Sequence, residues 1–183
     1  MEFQARSSLS WGTEMTQQYL EESRKYYWTP EQLSEISEYL PTKSNLLAID
    51  IGTGQGSFAF YLKSVLPDDA QVWGIDVDED LIRKAKTIAI SEAIPVNFAI
   101  ANAYDLPFPS ESAELITEQL VLLHLASPQT AIKEIRRCLA PGGIAIFVEP
   151  NNTAVSLVDD SAKRILSTEE YLDIVSLDFA YNR

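Results

Sequence analysis

Residues 47–56, Leu-Ala-Ile-Asp-Ile-Gly-Thr-Gly-Gln-Gly, decide the fold of this chain. An apolar run contains an acid near its end, three glycines follow at alternate positions, and apolar residues resume at Phe58. This order predicts a buried strand, a tight turn and the start of a helix. Glycine permits positive φ angles and has no Cβ, so its backbone can approach a ligand closely, and the N–H groups at a helix N-terminus are free to donate. The stretch therefore indicates a site for a nucleotide-like ligand.

Outward from this loop, strand patterns and helix patterns alternate along residues 46–150. Five strands are predicted, at Leu46–Ile51, Val72–Asp76, Val96–Ala101, Leu115–Thr117 and Ile144–Val148. Three helices are predicted between them, at Phe58–Leu66, Asp80–Ala89 and Pro128–Leu139. Strands that are almost continuously apolar are typical of a parallel sheet covered on both faces. The predicted fold class is α/β, a doubly wound and mainly parallel sheet with helices on both faces.

The two flanking segments follow other patterns. Thr29-Pro30-Glu31-Gln32 predicts the start of a helix that carries Leu33, Ile36 and Leu40 on its apolar side and stops at Pro41. Together with a helix over residues 13–27, it suggests a helical N-terminal cap over residues 1–45. Residues 150–183 break the alternation, and their helix signal is the capping box at residues 167–170. The main domain is therefore expected to cover residues 46–183.

The charge balance argues against two classes of partner. The 183 residues include 14 Lys or Arg and 27 Asp or Glu, so the formal net charge is −13. Non-specific binding to nucleic acid depends on cationic side chains that neutralise phosphates, and anionic membrane surfaces attract cationic segments. No apolar run approaches the ~18–20 residues that cross a bilayer, and the first residues do not show a basic segment followed by an apolar one. We expect a cytoplasmic protein that binds neither nucleic acid nor membrane.

One cysteine and one histidine limit the chemistry of the chain further. Cys138 has no partner for an internal disulfide, and its neighbours Ile135 and Leu139 favour a packing role in a helix over a nucleophilic role. A zinc site built from histidine and cysteine ligands would need more of both. No metal site is predicted.

The spacing of the glycines narrows the choice of ligand. A dinucleotide-binding fingerprint requires Gly or Ala at the sixth position counted from Gly52, and that position is Ser57. A nicotinamide cofactor is therefore less favoured, although the spacing leaves it open. Asp76 ends the second predicted strand, 20 residues beyond Gly56. In a doubly wound sheet this position lies beside the glycine loop, where a carboxylate can accept both ribose hydroxyls of an adenosine.

Four blocks of sequence resemble one family. They are LLAIDIGTGQG at 46–56, VWGIDVDEDLIRKAK at 72–86, IANAYDLPFPSESAELITEQLVLLHL at 100–125 and EIRRCLAPGGIAIFVEP at 134–150. In this order and spacing they resemble the class I S-adenosylmethionine-dependent methyltransferases, in the branch that usually acts on small molecules. The resemblance covers residues 46–150 and implies a Rossmann-like fold and S-adenosyl-L-methionine as cofactor, with S-adenosylhomocysteine as product.

The resemblance also implies a role for individual residues. Gly52, Thr53, Gly54 and Gly56 would wrap the methionine part of the cofactor, and Asp50 would face its ammonium group. The ribose hydroxyls would be held by Asp76, with Val77 against the adenine ring. The adenine edge would be read by Asn102 and Ala103, and the methionine and substrate would be flanked by residues 118–120, beginning with Glu118.

Three positions qualify these expectations. Asn102 stands where the family usually has Asp, so it can accept a hydrogen bond from the adenine amino group only without the assistance of a charge. Ala113-Glu114 replaces the usual Phe-Asp and loses an aromatic packing residue. His124 is the candidate catalytic residue, a general base that would take a proton from the methyl acceptor, but it could equally be a loop histidine packed among leucines.

The resemblance predicts an enzyme that transfers a methyl group by direct displacement to an O, N or C atom of a small molecule. The alternatives are a nicotinamide-dependent oxidoreductase and a non-catalytic protein that binds S-adenosylmethionine or a partner. Members of the family normally carry a C-terminal antiparallel hairpin, which is not evident in residues 150–183, so the domain is expected to be short at this end. The exposed edge of the fifth strand could then pair two copies in a homodimer.

Overall fold

The computed structural model describes residues 30–149, 158–159 and 164–165, and the side chains of residues 33–149. In chain order the helices are α1 (Pro30–Ser37), α2 (Ser57–Val65), α3 (Glu79–Ser91) and α4 (Pro128–Cys138), with a 3₁₀ turn at Leu122–His124. The strands are β1 (Leu47–Ile51), β2 (Gln71–Asp76), β3 (Asn97–Ile100), β4 (Ala113–Gln119), β5 (Leu139–Val148), β6 (Val158–Asp159) and β7 (Arg164–Ile165). The five predicted strands and the helices between them are all present.

Strands β1 to β5 form one parallel sheet in the order β3-β2-β1-β4-β5. The chain moves outward from β1 through β2 to β3, and then returns to the other side of β1 with β4. Strand order reverses between β1 and β4, and ligands of doubly wound sheets bind at the carboxyl ends of the strands beside such a switch point. The predicted fold class, a doubly wound parallel sheet of the Rossmann-like type, is confirmed.

Each face of the sheet carries its own apolar core because the side chains of β1 alternate between the two faces. Ala48 packs on one side, in a cluster with Leu62 of α2 and Ile82 of α3. Ile49 packs on the other side, in a cluster with Ile135 of α4. Burial on both faces explains why β1 is apolar at every position but Asp50.

Two helix details differ from the sequence prediction. Helix α1 ends at Ser37 and not next to Pro41, because the following amides bond three residues back, as from Tyr39 N to Ile36 O at 3.0 Å. Such bonds tighten a helix end and leave Leu40 beyond the helix. Ile132, expected on the inner side of α4, is 43% exposed. Cys138 is fully buried, in agreement with a packing role.

Strand β5 is longer than predicted and begins directly after α4. Ala113 pairs with Leu139, and Leu115 pairs with Ile144. Residues 140–143 of β5 therefore lie opposite a single residue of β4, Glu114. The Pro141-Gly142-Gly143 segment, predicted as a turn before the strand, therefore forms an irregularity within it. Gly143 is needed there because a Cβ would lie 2.9 Å from the carbonyl oxygen of Ala113.

The C-terminal part, Pro150–Arg183, is a second compact unit. Its described residues are β6 and β7, which pair antiparallel through Val158 with Ile165 and Asp159 with Arg164. The sequence did not predict these strands, and they form a sheet separate from the five-stranded one. The predicted helices over residues 13–27 and after residue 167, and the cap at Thr29, lie outside the described residues.

Candidate functional site

The glycine loop after β1 has the left-handed backbone conformation that glycine permits. Gly52, Gly54 and Gly56 have φ angles of 66°, 57° and 89°, in the left-handed region that other residues avoid. The loop is fixed to β2 by a hydrogen bond from Thr53 N to Ile75 O, at 2.9 Å, and it closes with Gly56 N donating to Thr53 O at the same distance. The loop therefore has one defined conformation at the carboxyl end of the sheet.

Two of these glycines are required by the packing of the protein itself. A Cβ on Gly52 would lie 2.3 Å from Cγ2 of Val121, in the segment after β4. A Cβ on Gly56 would lie 2.7 Å from the ring of Phe98 on β3. Both distances are too short for any real contact, so Gly52 and Gly56 have a structural reason to be glycine whether or not a ligand binds.

Asp50 lies inside the protein, under the loop. It is 2% exposed, and its carboxylate accepts hydrogen bonds from Thr53 Oγ1 at 2.7 Å and Thr117 Oγ1 at 2.9 Å. A buried carboxylate needs such donors to replace the water it has lost. Asp50 thereby joins the loop to β1 and β4, while its predicted contact with a cofactor ammonium group stays a prediction.

Asp76, at the end of β2, is tied to the loop through its carboxylate. Oδ2 accepts from Gly54 N at 2.9 Å, and Oδ1 accepts from Asp78 N at 3.0 Å. Burial raises the pKa of Asp76, and the hydrogen bonds from these two amides oppose that rise. A carboxylate oxygen has two lone-pair positions, so each one keeps capacity for a further donor such as a hydroxyl.

An apolar surface lies next to Asp76. Val77, which directly follows Asp76, is 61% exposed. Ile100, the register partner of Asp76 on β3, is 54% exposed. Two exposed branched side chains at the ligand edge of a parallel sheet can pack against a flat ring. Val77 is one of the predicted residues; Ile100 was missed, although it ends an apolar strand at this same edge.

Asn102 and Ala103 follow β3. Asn102 is exposed, and its Oδ1 accepts a hydrogen bond from Tyr104 N at 3.0 Å, while its backbone oxygen accepts from Asp105 N at 2.9 Å. Ala103 is 6% exposed, with its methyl group in the core. Asn102 therefore uses part of its hydrogen-bonding capacity to shape its own turn, and Ala103 has only backbone to present to a ligand.

The turn that carries Asn102 leads into a segment clamped by α4. Arg137 donates to the carbonyl oxygens of Leu106, at 3.1 Å, and Phe108, at 2.9 Å, and Glu134 accepts from Leu106 N at 2.8 Å. Arg137 and Glu134 also form an ion pair one helical turn apart, at 2.6 Å. This clamp could not be predicted from the sequence, because a charged pair on a helix usually faces solvent.

The ends of β4 and β5 bring two carboxyl groups together. Glu118, on β4, is 2% exposed, and burial together with the neighbouring Glu149 raises its pKa to about 8. Glu118 Oε2 accepts from Val121 N at 3.0 Å, and Glu149 Oε1 accepts from Leu122 N at 2.7 Å. Glu118 was predicted as a site residue. Glu149 was not, because its closeness to Glu118 depends on the register of two strands.

His124 ends the 3₁₀ turn that follows these amides. Burial lowers the pKa of His124 below its ordinary value of 6.5, against the opposing effect of the Glu149 carboxylate. The imidazole is therefore mainly neutral at neutral pH, which is the form that can accept a proton. Leu123, beside it, is 50% exposed.

Within the described part of the chain, no helix is long and apolar enough to span a membrane. The same residues include no group of three or more His, Cys, Asp or Glu side chains placed to hold a metal ion.

Comparison with known proteins decides the family. The model of a methyltransferase domain matches residues 49–147, from the middle of β1 to the end of β5. The chain belongs to this family. The resemblance to class I S-adenosylmethionine-dependent methyltransferases is thereby confirmed.

The relatives of this methyltransferase domain include enzymes with different chemistry. A demethylmenaquinone methyltransferase from Thermus thermophilus is 33% identical over 101 residues, which are 55% of this chain and 46% of the relative. The crystal structure of a methyltransferase dependent on S-adenosylmethionine, from Aquifex aeolicus, has a TM-score of 0.58 at 20% identity, and the match covers 68% of this chain and 70% of that one. A [4+2]-cyclase has a TM-score of 0.57 at 28% identity, over 63% of this chain and 43% of that one.

The chain spans less than half the length of the curated relatives it matches. The matched part of the methyltransferase domain nevertheless contains every predicted site residue from Asp50 to His124. Most of these residues lie at the carboxyl ends of β1, β2, β3 and β4, the edge at which such sheets bind ligands.

Proposed function

We propose that this chain binds S-adenosyl-L-methionine and transfers its methyl group to an O, N or C atom of a small molecule. The observation that carries the proposal is the hydrogen bond from Gly54 N to Asp76 Oδ2 at 2.9 Å, inside a methyltransferase domain. This bond fixes the acid of β2 against the glycine loop, with lone pairs left for two ribose hydroxyls. The sequence of the loop is a poor match for a dinucleotide fingerprint, because the sixth position from Gly52 is Ser57.

Other residues near this pair are placed to contact the remaining parts of the cofactor. Val77 and Ile100 supply an apolar surface for adenine next to the ribose acid. The side-chain amide of Asn102 lies one short turn further along and can contact the edge of the ring. Gly52 to Gly56 would present backbone to the methionine part, over the buried Asp50.

Direct displacement at a sulfonium carbon needs alignment, a short approach and exclusion of water more than it needs a protein nucleophile. The cofactor supplies the electrophilic methyl group. The chain supplies a rigid loop that fixes one reactant and, after β4, a segment that ends in a mainly neutral His124. His124 would accept the proton that an O–H or N–H acceptor loses as its new bond to carbon forms.

Isothermal titration calorimetry with S-adenosylhomocysteine and, separately, NAD tests the cofactor. We expect binding of the first and not of the second. Asp76→Asn should weaken binding about tenfold because it removes the charge that strengthens the hydrogen bonds to hydroxyls. Asp69→Asn, in an exposed turn after α2, is the matched control and should bind as the wild type does. Binding of NAD alone would overturn the proposal.

The second candidate is a protein that binds the cofactor without transferring its methyl group. One comparison favours a reaction other than methyl transfer: the structure named as a [4+2]-cyclase, whose fold this chain shares at 28% identity. Turnover separates the two candidates: a panel of hydroxyl, amine and activated-carbon acceptors, including a demethylated quinol, would be incubated with labelled cofactor. Label in any acceptor supports the methyltransferase, whereas tight binding with no transfer across the panel supports the second candidate.

A further inference from the structure

The carboxyl groups of Glu118 and Glu149 accept hydrogen bonds from two consecutive backbone amides, Val121 N and Leu122 N. Glu118 Oε2 is occupied by Val121 N, while Glu118 Oε1 is buried and receives no N–H or O–H donor among the described residues. Burial and the neighbouring Glu149 raise the pKa of Glu118 to about 8, so the Glu118 carboxyl group keeps a proton at neutral pH. Loss of that proton would leave two like charges beside each other in the interior, where they repel.

Glu118 and Glu149, at the ends of two neighbouring strands, both bind the same turn of backbone. Val121 N and Leu122 N are consecutive amides, and one donates to Glu118 of β4 while the other donates to Glu149 after β5. The preceding amide, Leu120 N, donates to Val148 O of β5 at 2.9 Å. Leu120 has a φ angle of 57°, a conformation that is costly for a branched side chain and persists only where neighbouring bonds enforce it.

This turn lies directly against the cofactor loop. Val121 Cγ2 occupies the space where a Cβ of Gly52 would be, at 2.3 Å from that position. A displacement of Val121 would therefore remove the contact that supports the first glycine of the loop. The turn and the loop are packed too closely to move independently.

Few ionisable groups act on the pair. Glu149 and Glu118 affect each other, and Glu149 also acts on His124 in the 3₁₀ turn. The register partners of Glu118 on the neighbouring strands are apolar, Ile51 on β1 and Phe147 on β5. Burial and the repulsion from Glu149 raise the pKa of Glu118, and the hydrogen bond from Val121 N opposes that rise.

We propose that Glu118 and Glu149 are positioning residues that hold residues 120–122 against Gly52 while Glu118 carries a proton, so that loss of this proton loosens the cofactor loop. The inference rests on the proposed function, because the loop is taken to bind S-adenosylmethionine. The two residues act through the backbone amides of Val121 and Leu122 and need not touch the cofactor.

The test is the affinity for S-adenosylhomocysteine at about pH 6.5 and about pH 9.5, on either side of the titration of Glu118. In the wild type we expect an affinity about fivefold or more weaker at the higher pH, the usual range for coupled equilibria. Glu118→Gln should reduce this ratio strongly, because an amide can accept from Val121 N and stays neutral at any pH. Glu149→Gln should reduce it as well, and gives a second route if the first variant folds poorly.

Glu92→Gln, an exposed site at the end of α3, is the matched control and should keep the wild-type ratio. The amino group of the ligand titrates in the same way with every variant, so differences between variants report on the protein. If the wild type binds and all four proteins show the same ratio, the inference is wrong while the proposed function stands. If the wild type binds at neither pH, the proposed function fails first.

Discussion

At the scale of single residues, the glycines of the loop have two separable reasons to be glycine. All three have positive φ angles, but Gly52 and Gly56 also lie against side chains that leave no room for a Cβ. The N–H of Gly54 donates a hydrogen bond to Asp76. One motif therefore combines residues that the fold requires with a residue that orients the candidate ribose acid.

Gly52→Ala should destabilise the protein through both strain and collision. A left-handed alanine costs about 1 kcal/mol, and the overlap with Val121 adds a comparable amount or more, so we expect a loss of about 2–4 kcal/mol in the free energy of unfolding. Gly142→Ala is the control, because it has a φ angle of 76° with nothing within 4 Å of its Cβ. Urea denaturation of both variants measures the difference. Equal losses would show that the contact with Val121 is unimportant.

Glu118 should make the stability of the protein depend on pH. The folded chain keeps a proton on Glu118 up to about pH 8, whereas in the unfolded chain an ordinary glutamate releases it near about pH 4.3. The folded state holds more protons in this window, so stability falls as the pH rises through it. The free energy of unfolding of Glu118→Gln should change less with pH over this window. At neutral pH, with allowance for solvent screening, it should exceed that of the wild type by about 1 kcal/mol or more. Parallel profiles in urea denaturation would contradict this.

At the scale of elements, helix α4 has a role beyond covering the sheet. Its Glu134 and Arg137 bind the backbone of Leu106 and Phe108, in the connection that follows the candidate adenine-binding turn at Asn102. The helix thus fixes a loop that lies far from it in sequence and near the ligand edge in space.

Arg137→Gln should lower the midpoint of thermal unfolding and weaken cofactor binding together. The variant loses the donors to the Leu106 and Phe108 carbonyls, so the connection that follows Asn102 becomes less well held. Arg136→Gln, the adjacent and exposed arginine, removes the same charge without these bonds and is the control. Calorimetric melting and titration with S-adenosylhomocysteine would check both effects. A control as impaired as Arg137→Gln would show that charge, and not the clamp, matters.

At the scale of the whole molecule, charge repulsion is the dominant long-range feature. The chain carries a net charge of −13, from 27 acidic and 14 basic residues. An excess of one sign destabilises the compact state, and dissolved salt screens that repulsion.

Raising the ionic strength from about 20 mM to about 300 mM should therefore increase the melting temperature by a few degrees. Differential scanning calorimetry in sodium chloride would measure it. Exposed ion pairs such as Arg83 with Asp80 contribute little and should not reverse the trend. A fall in melting temperature with salt would mean that specific ion pairs outweigh the net repulsion.

The order of strands and helices could be predicted from the sequence because the central strands β1 and β4 are largely buried and the helices repeat apolar residues at helical spacing, as α3 does with Leu81, Ala85 and Ala89. Features that depend on register could not be predicted in this way. The pairing of Glu118 with Glu149 requires the ends of β4 and β5 to be level, and the irregularity at Gly142-Gly143 decides that. The exposure of Ile132 likewise depends on how α4 lies across the sheet. Positions that follow β1 and β2 directly could therefore be placed from the sequence, and their roles in binding stay predictions, whereas contacts between distant segments could not be predicted.

Gly52 and Gly56 are required both by their φ angles and by the lack of room for a Cβ, and this has a consequence for how related sequences evolve. A descendant of this chain that stopped binding any cofactor would still lose stability if either glycine changed, so purifying selection would keep both. Asp76 would be released from that pressure sooner, since the collisions shown for Gly52 and Gly56 do not involve it, whereas Gly54 keeps a φ angle of 57° that favours glycine. In surveys of divergent sequences, the presence of Asp76 should therefore separate working sites from inherited scaffolds better than the glycines do.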